Sequence, residues 1–286
     1  MRSRPAVGNP TVARHSADAI PLMTTFVQTM WGFSLDHPAG WVHRRLQDGA
    51  AFARTEAALG PGYDGALGGH IMVSAEWNGL RLEIEPLWKE HVARTATMLG
   101  AKQIRSAPWR IGAADGIEAE IALPKKDAGR LWLGILSHDL IVLKFLVSHP
   151  LALRAEFEPL ATEVLRSLRF LETVPDLPQH VCGLSLPPDC MPLPASEILE
   201  DLGDQGSWEA FETPHSVGAV QAFYWREAPA AGWEITTFQP YPGDHPLPFA
   251  RVGLHRQGRV IALGIIPQPQ GADDRNARAR LALHWR

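Results

Sequence analysis

Apolar and polar positions alternate in part over residues 32–37, 41–46, 50–54 and 70–76, which predicts four β-strands. The period changes at Pro86. From there Trp88, Val92, Thr95, Met98 and Leu99 recur at spacings of three and four, with proline in the first turn and Gly100 just past the end. That pattern predicts a helix to about Leu99. Four further strand-like segments follow at 105–111, 116–123, 131–137 and 140–147, the last two joined by a two-residue turn at His138-Asp139. A second helix is predicted over 151–168, where Leu153, Phe157, Leu160, Val164, Leu165 and Leu168 fall on one face. Residues 1–29 show little periodicity and contain Pro5, Pro10 and Pro21, so they read as a flexible tail.

The block 175–194 carries Pro175, Pro178, Pro187, Pro188, Pro192 and Pro194. Such density continues neither a helix nor a central strand, so residues 174–195 read as a linker. Beyond it lies a second unit, residues 196–286, with the predicted order βαββββ. Residues 208–213 form its first strand, and a helix follows from Val217 to about Ala228 behind the N-cap Ser216. Strands at 233–238, 249–255, 259–266 and 279–285 complete it, with a hairpin turn at Gln257-Gly258. The fold class is therefore α+β, in two domains, each an antiparallel sheet packed with one or two helices.

The opening run Phe33-Ser34-Leu35-Asp36-His37-Pro38-Ala39-Gly40-Trp41 and the closing run Leu165-Arg166-Ser167-Leu168-Arg169-Phe170 frame the first unit. Together with the mid-domain helix and the 131–147 hairpin, they give residues 30–173 a resemblance to the PsbP-like fold and to its DcrB-like and Eag-chaperone-like relatives. The resemblance implies a non-enzymatic assembly factor, adaptor or chaperone that offers a sheet face or cleft to another protein. It carries over no catalytic residue, because a Pro-Ala-Gly-Trp turn positions an aromatic anchor and nothing more. The second unit resembles a small bacterial α+β module of unsettled function, through Phe211, Thr213, Ser216, Phe223-Tyr224 and Gly232-Trp233.

Charge narrows the partner class. Residues 1–174 hold 19 Lys+Arg against 18 Asp+Glu, whereas residues 175–286 hold 8 Arg, no lysine and 13 Asp+Glu. Neither half carries the basic footprint that a phosphate backbone requires, so nucleic acid is not an expected partner. No apolar run approaches the roughly 20 residues of a membrane span, and no secretory leader is read; the cytoplasm is the expected location. The two cysteines, Cys182 and Cys190, are expected to be free thiols there.

Candidate chemistry is sparse. The glycines at 60–65, 68 and 69 match no phosphate-loop spacing and read as turn formers. His91 has Glu90 beside it rather than a partner one turn away, and no histidine pair completes a zinc set. Cys182 and Cys190 sit in proline-rich coil rather than at an activating helix N-terminus, and His180 is expected to point away from its neighbours along an extended chain. No catalytic, cofactor or metal residue is assigned. Among ten tryptophans, Trp77 and Trp225 lie off the apolar stripes beside polar neighbours, and are the candidate partner contacts. The expectation is a non-enzymatic adaptor or chaperone-like protein whose sheet face or interdomain groove receives a protein or an apolar ligand. The alternative is a hydrolase or metalloenzyme with a site assembled from dispersed His, Asp and Glu residues. Homo-oligomerisation is compatible with either.

Overall fold

The computed structural model describes residues 22–59, 68–100, 102–122, 130–198, 208–268 and 277–286. The glycine-rich segment 60–65 lies outside them, as do residues 1–21 of the expected tail. Elements run in the order β1 (Met23–Gln28), β2 (Phe33–Pro38), β3 (Val42–Leu46), β4 (Gly49–Ala53), β5 (His70–Trp77), α1 (Ile84–Leu99), β6 (Lys102–Ile111) and β7 (Ala114–Ala122). Next come β8 (Arg130–His138), β9 (Ile141–His149), α2 (Arg154–Arg166) and β10 (Arg169–Phe170). The chain finishes with β11 (Met191–Leu193), β12 (Trp208–Ser216), α3 (Val217–Ala230), β13 (Glu234–Gln239), β14 (Ala250–Arg256), β15 (Arg259–Pro267) and β16 (Arg278–Trp285).

The strands form three antiparallel sheets, ordered β1-β2-β10, β3-β4-β5-β9-β8-β7-β6 and β11-β12-β16-β15-β14-β13. The fold is α+β. Prolines fall where a ladder tolerates them: Pro108 on the edge strand β6, Pro192 on the edge strand β11, and Pro214 in the register shift between Glu212 and Ser216 of β12.

The two runs that frame the first unit meet in space. Arg169 pairs with Ser34 and Phe170 with Phe33, so β10 lies directly against β2. Ser167 Oγ accepts the Asp36 N–H at 2.7 Å, and Arg169 pairs with Asp36 at 3.0 Å. The Pro-Ala-Gly-Trp turn delivers the Trp41 indole flat onto Phe157 of α2, with centroids 5.4 Å apart and planes within 4°.

Three features depart from the sequence expectation. Residues 23–28, expected to belong to the tail, form β1. Phe26 lies opposite Leu35 and is buried against Phe52, but the apolar Met23, Phe26 and Val27 are spaced by three and one, which makes no strand period. The β8–β9 hairpin turns at Asp139-Leu140, one residue late, because Asp139 takes φ 52° and Leu140 folds into the core. The proline-rich block does not hang free: Cys182 and Leu184 are buried, and β11 joins the edge of the third sheet.

Two apolar layers hold the assembly. Under α1, Trp88 packs on Ala119, Ile121, Leu131, Leu133, Ile135 and Val142, which share one face of the seven-stranded sheet. The opposite face opens into a continuous core that takes in α2, the small sheet, α3 and the inner face of the third sheet. Helix α3 is buried on nearly every side, with Val217, Val220, Phe223 and Tyr224 all at 1% exposure or less. A helix buried on nearly every side belongs between layers, and its polar residues Gln221, Arg226 and Glu227 all find partners there. Each such side chain contributes about 1.5–3 kcal/mol on burial.

Candidate functional site

Helix α3 is the place where the two units meet, and its sequence explains how closely. Gly218 in its first turn leaves room for two tryptophans of the first unit: a Cβ there would sit 3.1 Å from the Trp77 Cβ and 3.3 Å from the Trp31 indole. The N-cap Ser216 accepts the Ala219 N–H at 3.2 Å and donates to Asp48 Oδ1 at 2.6 Å, while Trp31 Nε1 donates to the same oxygen at 3.1 Å. Asp48 thus places a carboxylate beside a helix N-terminus. At the other end, Arg226 reaches back to the Thr29 and Met30 carbonyls at 2.7 and 3.3 Å. Its neighbour Glu227 accepts from Thr173 Oγ1 and the Val174 N–H at 2.9 and 3.1 Å.

Asp48 carries a pH consequence. Burial pushes its carboxyl above the ordinary carboxylate range, against the opposing pull of the Ser216 and Trp31 hydrogen bonds. A raised carboxyl binds its proton more tightly in the folded protein. Its stabilising contribution is therefore complete below the unfolded value near 3.8 and is lost as pH rises through the folded value. Asp48→Asn, which keeps the accepting oxygen, is expected to be more stable than the parent at pH 7, with the gap closing toward pH 4. Urea midpoints of both proteins at the two pH values test this. A gap independent of pH would assign the effect to packing.

Trp77 and Trp225 both lie at this junction, half-buried, and meet across one ring. Phe238 of β13 stands 5.7 Å from the Trp77 ring and 5.0 Å from the Trp225 ring. Trp225 Nε1 donates to Asp139 in the β8–β9 turn, whereas Trp77 Nε1 is buried over Gly79 without a hydrogen-bond partner among the described residues. The two indoles thus fill the inner part of the groove between the units with the chain's own side chains.

Outside them two loops form a rim. Asn78 donates through Nδ2 to the Leu82 carbonyl and accepts the Leu82 N–H, both at 2.9 Å, and its own N–H bonds Leu140 O at 2.7 Å. The loop so fixed leaves Leu80 and Leu82 50% and 49% exposed. Facing it, the β13–β14 loop approaches Gly79 through Pro240. That loop is anchored by the fully buried Gln221 of α3, which donates to Tyr241 O at 2.6 Å and accepts the Tyr241 N–H at 2.8 Å. Neither this loop nor its leucines was singled out from the sequence. Two leucines two residues apart, between a strand and a helix, were the available signal.

One arrangement has the geometry of a nucleophile chain. Cys182 Sγ lies 2.8 Å from His180 Nδ1, and His180 Nε2 lies 2.9 Å from Glu209 Oε2, with Trp285 Nε1 donating to Glu209 at 3.2 Å. The expectation that His180 points away is overturned, because the chain turns at Gly183 (φ 81°) instead of running extended. Yet Cys182 is 2% exposed, and burial pushes its thiol up, the reverse of activation. The Cys182 N–H also donates to His180 Nδ1 at 3.2 Å, so the ring braces a turn. Cys182 and Cys190 are both free. Among the described residues no group of three His, Cys, Asp or Glu side chains is placed to hold a metal ion, and no helix is long and apolar enough to cross a membrane.

No protein-family model matches the chain, and no curated protein matches it. Solved structures do. Over about half its length the chain is similar to PsbP-like proteins. The cyanobacterial PsbP (CyanoP) of Synechocystis matches at TM-score 0.42 and 9% identity, over 56% of this chain and 98% of that one. The Ran-binding protein Mog1p of Saccharomyces cerevisiae matches at TM-score 0.39 and 10% identity, over 53% of this chain and 96% of its own. A Bacteroides thetaiotaomicron structure spans both units, covering 82% of this chain and 87% of its own at TM-score 0.36 and 11% identity.

Proposed function

We propose that this protein is a non-enzymatic accessory protein, an adaptor that grips another protein at the rim of the junction between its units. The observation that carries this reading is the Asn78-locked loop, which holds Leu80 and Leu82 half-exposed beside Trp77. A side chain kept out of water's way only by a partner costs least when its backbone is already ordered, because association then loses little conformational freedom. Trp77, Trp225 and Phe238 form the rigid aromatic base beneath that rim. A cytoplasmic place of action fits the two free thiols.

The test uses the tagged full-length chain. A partner captured by the parent protein is expected to bind Leu80→Asp/Leu82→Asp at least about tenfold more weakly, the loss typical of an apolar contact at the centre of an interface. Both positions are exposed, so circular dichroism should show the fold unchanged. Leu22→Asp, at an exposed leucine elsewhere, should bind like the parent. Equal binding by the double variant would remove the rim from the interface.

A further inference from the structure

Away from the junction, α1 and the seven-stranded sheet leave a cleft of about 180 Å³ where β5 meets β9. Met72, Ser74, Glu76, Lys144 and Leu146 line its sheet side, and His91 and Thr95 face them from α1. Ser74 pairs with Lys144 across the strands, which makes Glu76 the diagonal neighbour of Lys144; Nζ and Oε1 meet at 2.5 Å. The lysine side chain is 12% exposed and the glutamate 50%, so the ammonium lies deep while the carboxylate leans outward. A second opposed pair, Arg94 and Glu90, stands at the mouth with 2.9 Å between charges. Inside, His91 Nε2 is buried and has no hydrogen-bond partner among the described residues, while the ring also lies against the Phe145 backbone. Burial and the nearby Lys144 push its pKa down to about 4, so the ring is neutral at physiological pH.

A buried ring nitrogen without a partner costs stability unless a water or ligand atom meets it. Lys144 has three N–H donors, and Glu76 occupies one direction among them. The cleft therefore has polar capacity in excess of what the chain itself uses. We propose that it binds a small zwitterion, a free amino acid with a short side chain, with the carboxylate on Lys144 and the ammonium on the outward oxygen of Glu76. Sign decides the class. A simple anion would meet Glu76 and Glu90 along with the cations, and a simple cation would meet Lys144 and Arg94. A ligand carrying both charges is complemented by both pairs at once. Size permits it, since the volume, roughly six waters' share of the liquid, exceeds the bulk of alanine. Met72 and Leu146 supply an apolar wall for its side chain.

Titration calorimetry and thermal melts of the full chain with glycine, L-alanine and L-serine test the assignment, with acetate and methylamine as single-charge controls. Expected is saturable binding of at least one amino acid, with a melting temperature that rises with its concentration. Each control should bind at least about tenfold more weakly, the loss of one charge-assisted hydrogen bond. Lys144→Met should abolish the amino-acid response. If that variant fails to fold, the half-exposed Glu76→Gln replaces it, with amino-acid affinity down about tenfold and acetate affinity not reduced. No response to any of the amino acids at about 10 mM would overturn the proposal, since even millimolar affinity would show there. Acetate binding as tightly as alanine would overturn it too, in favour of a plain anion site.

Discussion

Arg226→Ala is expected to remove about 3–5 kcal/mol from the unfolding free energy, the cost of leaving a buried charge without its partner. The side chains of Arg226 and Glu227 are 11% and 3% exposed and meet at 2.8 Å. The guanidinium also fills the space beside Gly32, whose φ of 62° keeps that position free of a side chain. Truncation strands the Glu227 carboxylate with two neutral donors, Thr173 and Val174, and leaves the Thr29 and Met30 carbonyls without their donor. Replacing the pair together, as Arg226→Met/Glu227→Gln, should recover much of the loss, because neither position then has to be desolvated as an ion. Urea unfolding of the two variants separates the effects. A single variant no worse than the double would mean that packing, not charge, holds this end of α3.

Trp41→Ala should cost a comparable amount, about 3–5 kcal/mol, the usual range for an aromatic removed from a core. Trp41 is 8% exposed and Phe157 beneath it 1%. The surroundings are poorly able to collapse: Gly69 is already so close to Phe157 that a Cβ there would lie 2.5 Å from the ring, and His149 tilts against its other side. Trp41→Phe preserves a ring over Phe157 and should lose less than half as much. A loss below about 1 kcal/mol for the alanine variant would show that the Pro38-to-Trp41 turn, closed by a 2.8 Å hydrogen bond, carries the anchor instead.

How much of this was legible follows from what each feature demands of the sequence. Strands buried on one face and the helices α1 and α2 announce themselves through period, and Ser216 was readable as the N-cap of α3 because capping is local. The closing Leu165-to-Phe170 run was tied to the opening one only through the resemblance to the PsbP-like fold, since the alternation of Ser167, Leu168, Arg169 and Phe170 names no partner by itself. β1 was not, since Met23, Phe26 and Val27 do not alternate with the polar positions between them. The clamps on α3 were hidden for a different reason. Arg226 and Glu227 look like any solvated pair on a helix, and their burial depends on Thr29, Met30, Thr173 and Val174, nearly 200 and more than 50 positions away. Trp77 and Trp225 stood out from the stripes as residues without a core assignment. Their shared contact, Phe238, could not be named from spacing. The cleft under α1 combines Lys144, Glu76 and His91 from three elements, and neither charge nor period links them along the chain.

The grip of α3 on both ends of the first unit also bears on how the chain is made. Synthesis releases residues 29 and 30 first, but the guanidinium that caps their carbonyls emerges about 200 residues later. At ribosomal speeds of about 5–20 residues per second, that interval lasts on the order of ten seconds or more. For the last part of it, once β9 is complete, the first unit must wait with Trp31, Trp77 and the inner core face uncovered. The first unit is thus born incomplete, and the last third of the polypeptide acts as its built-in cover.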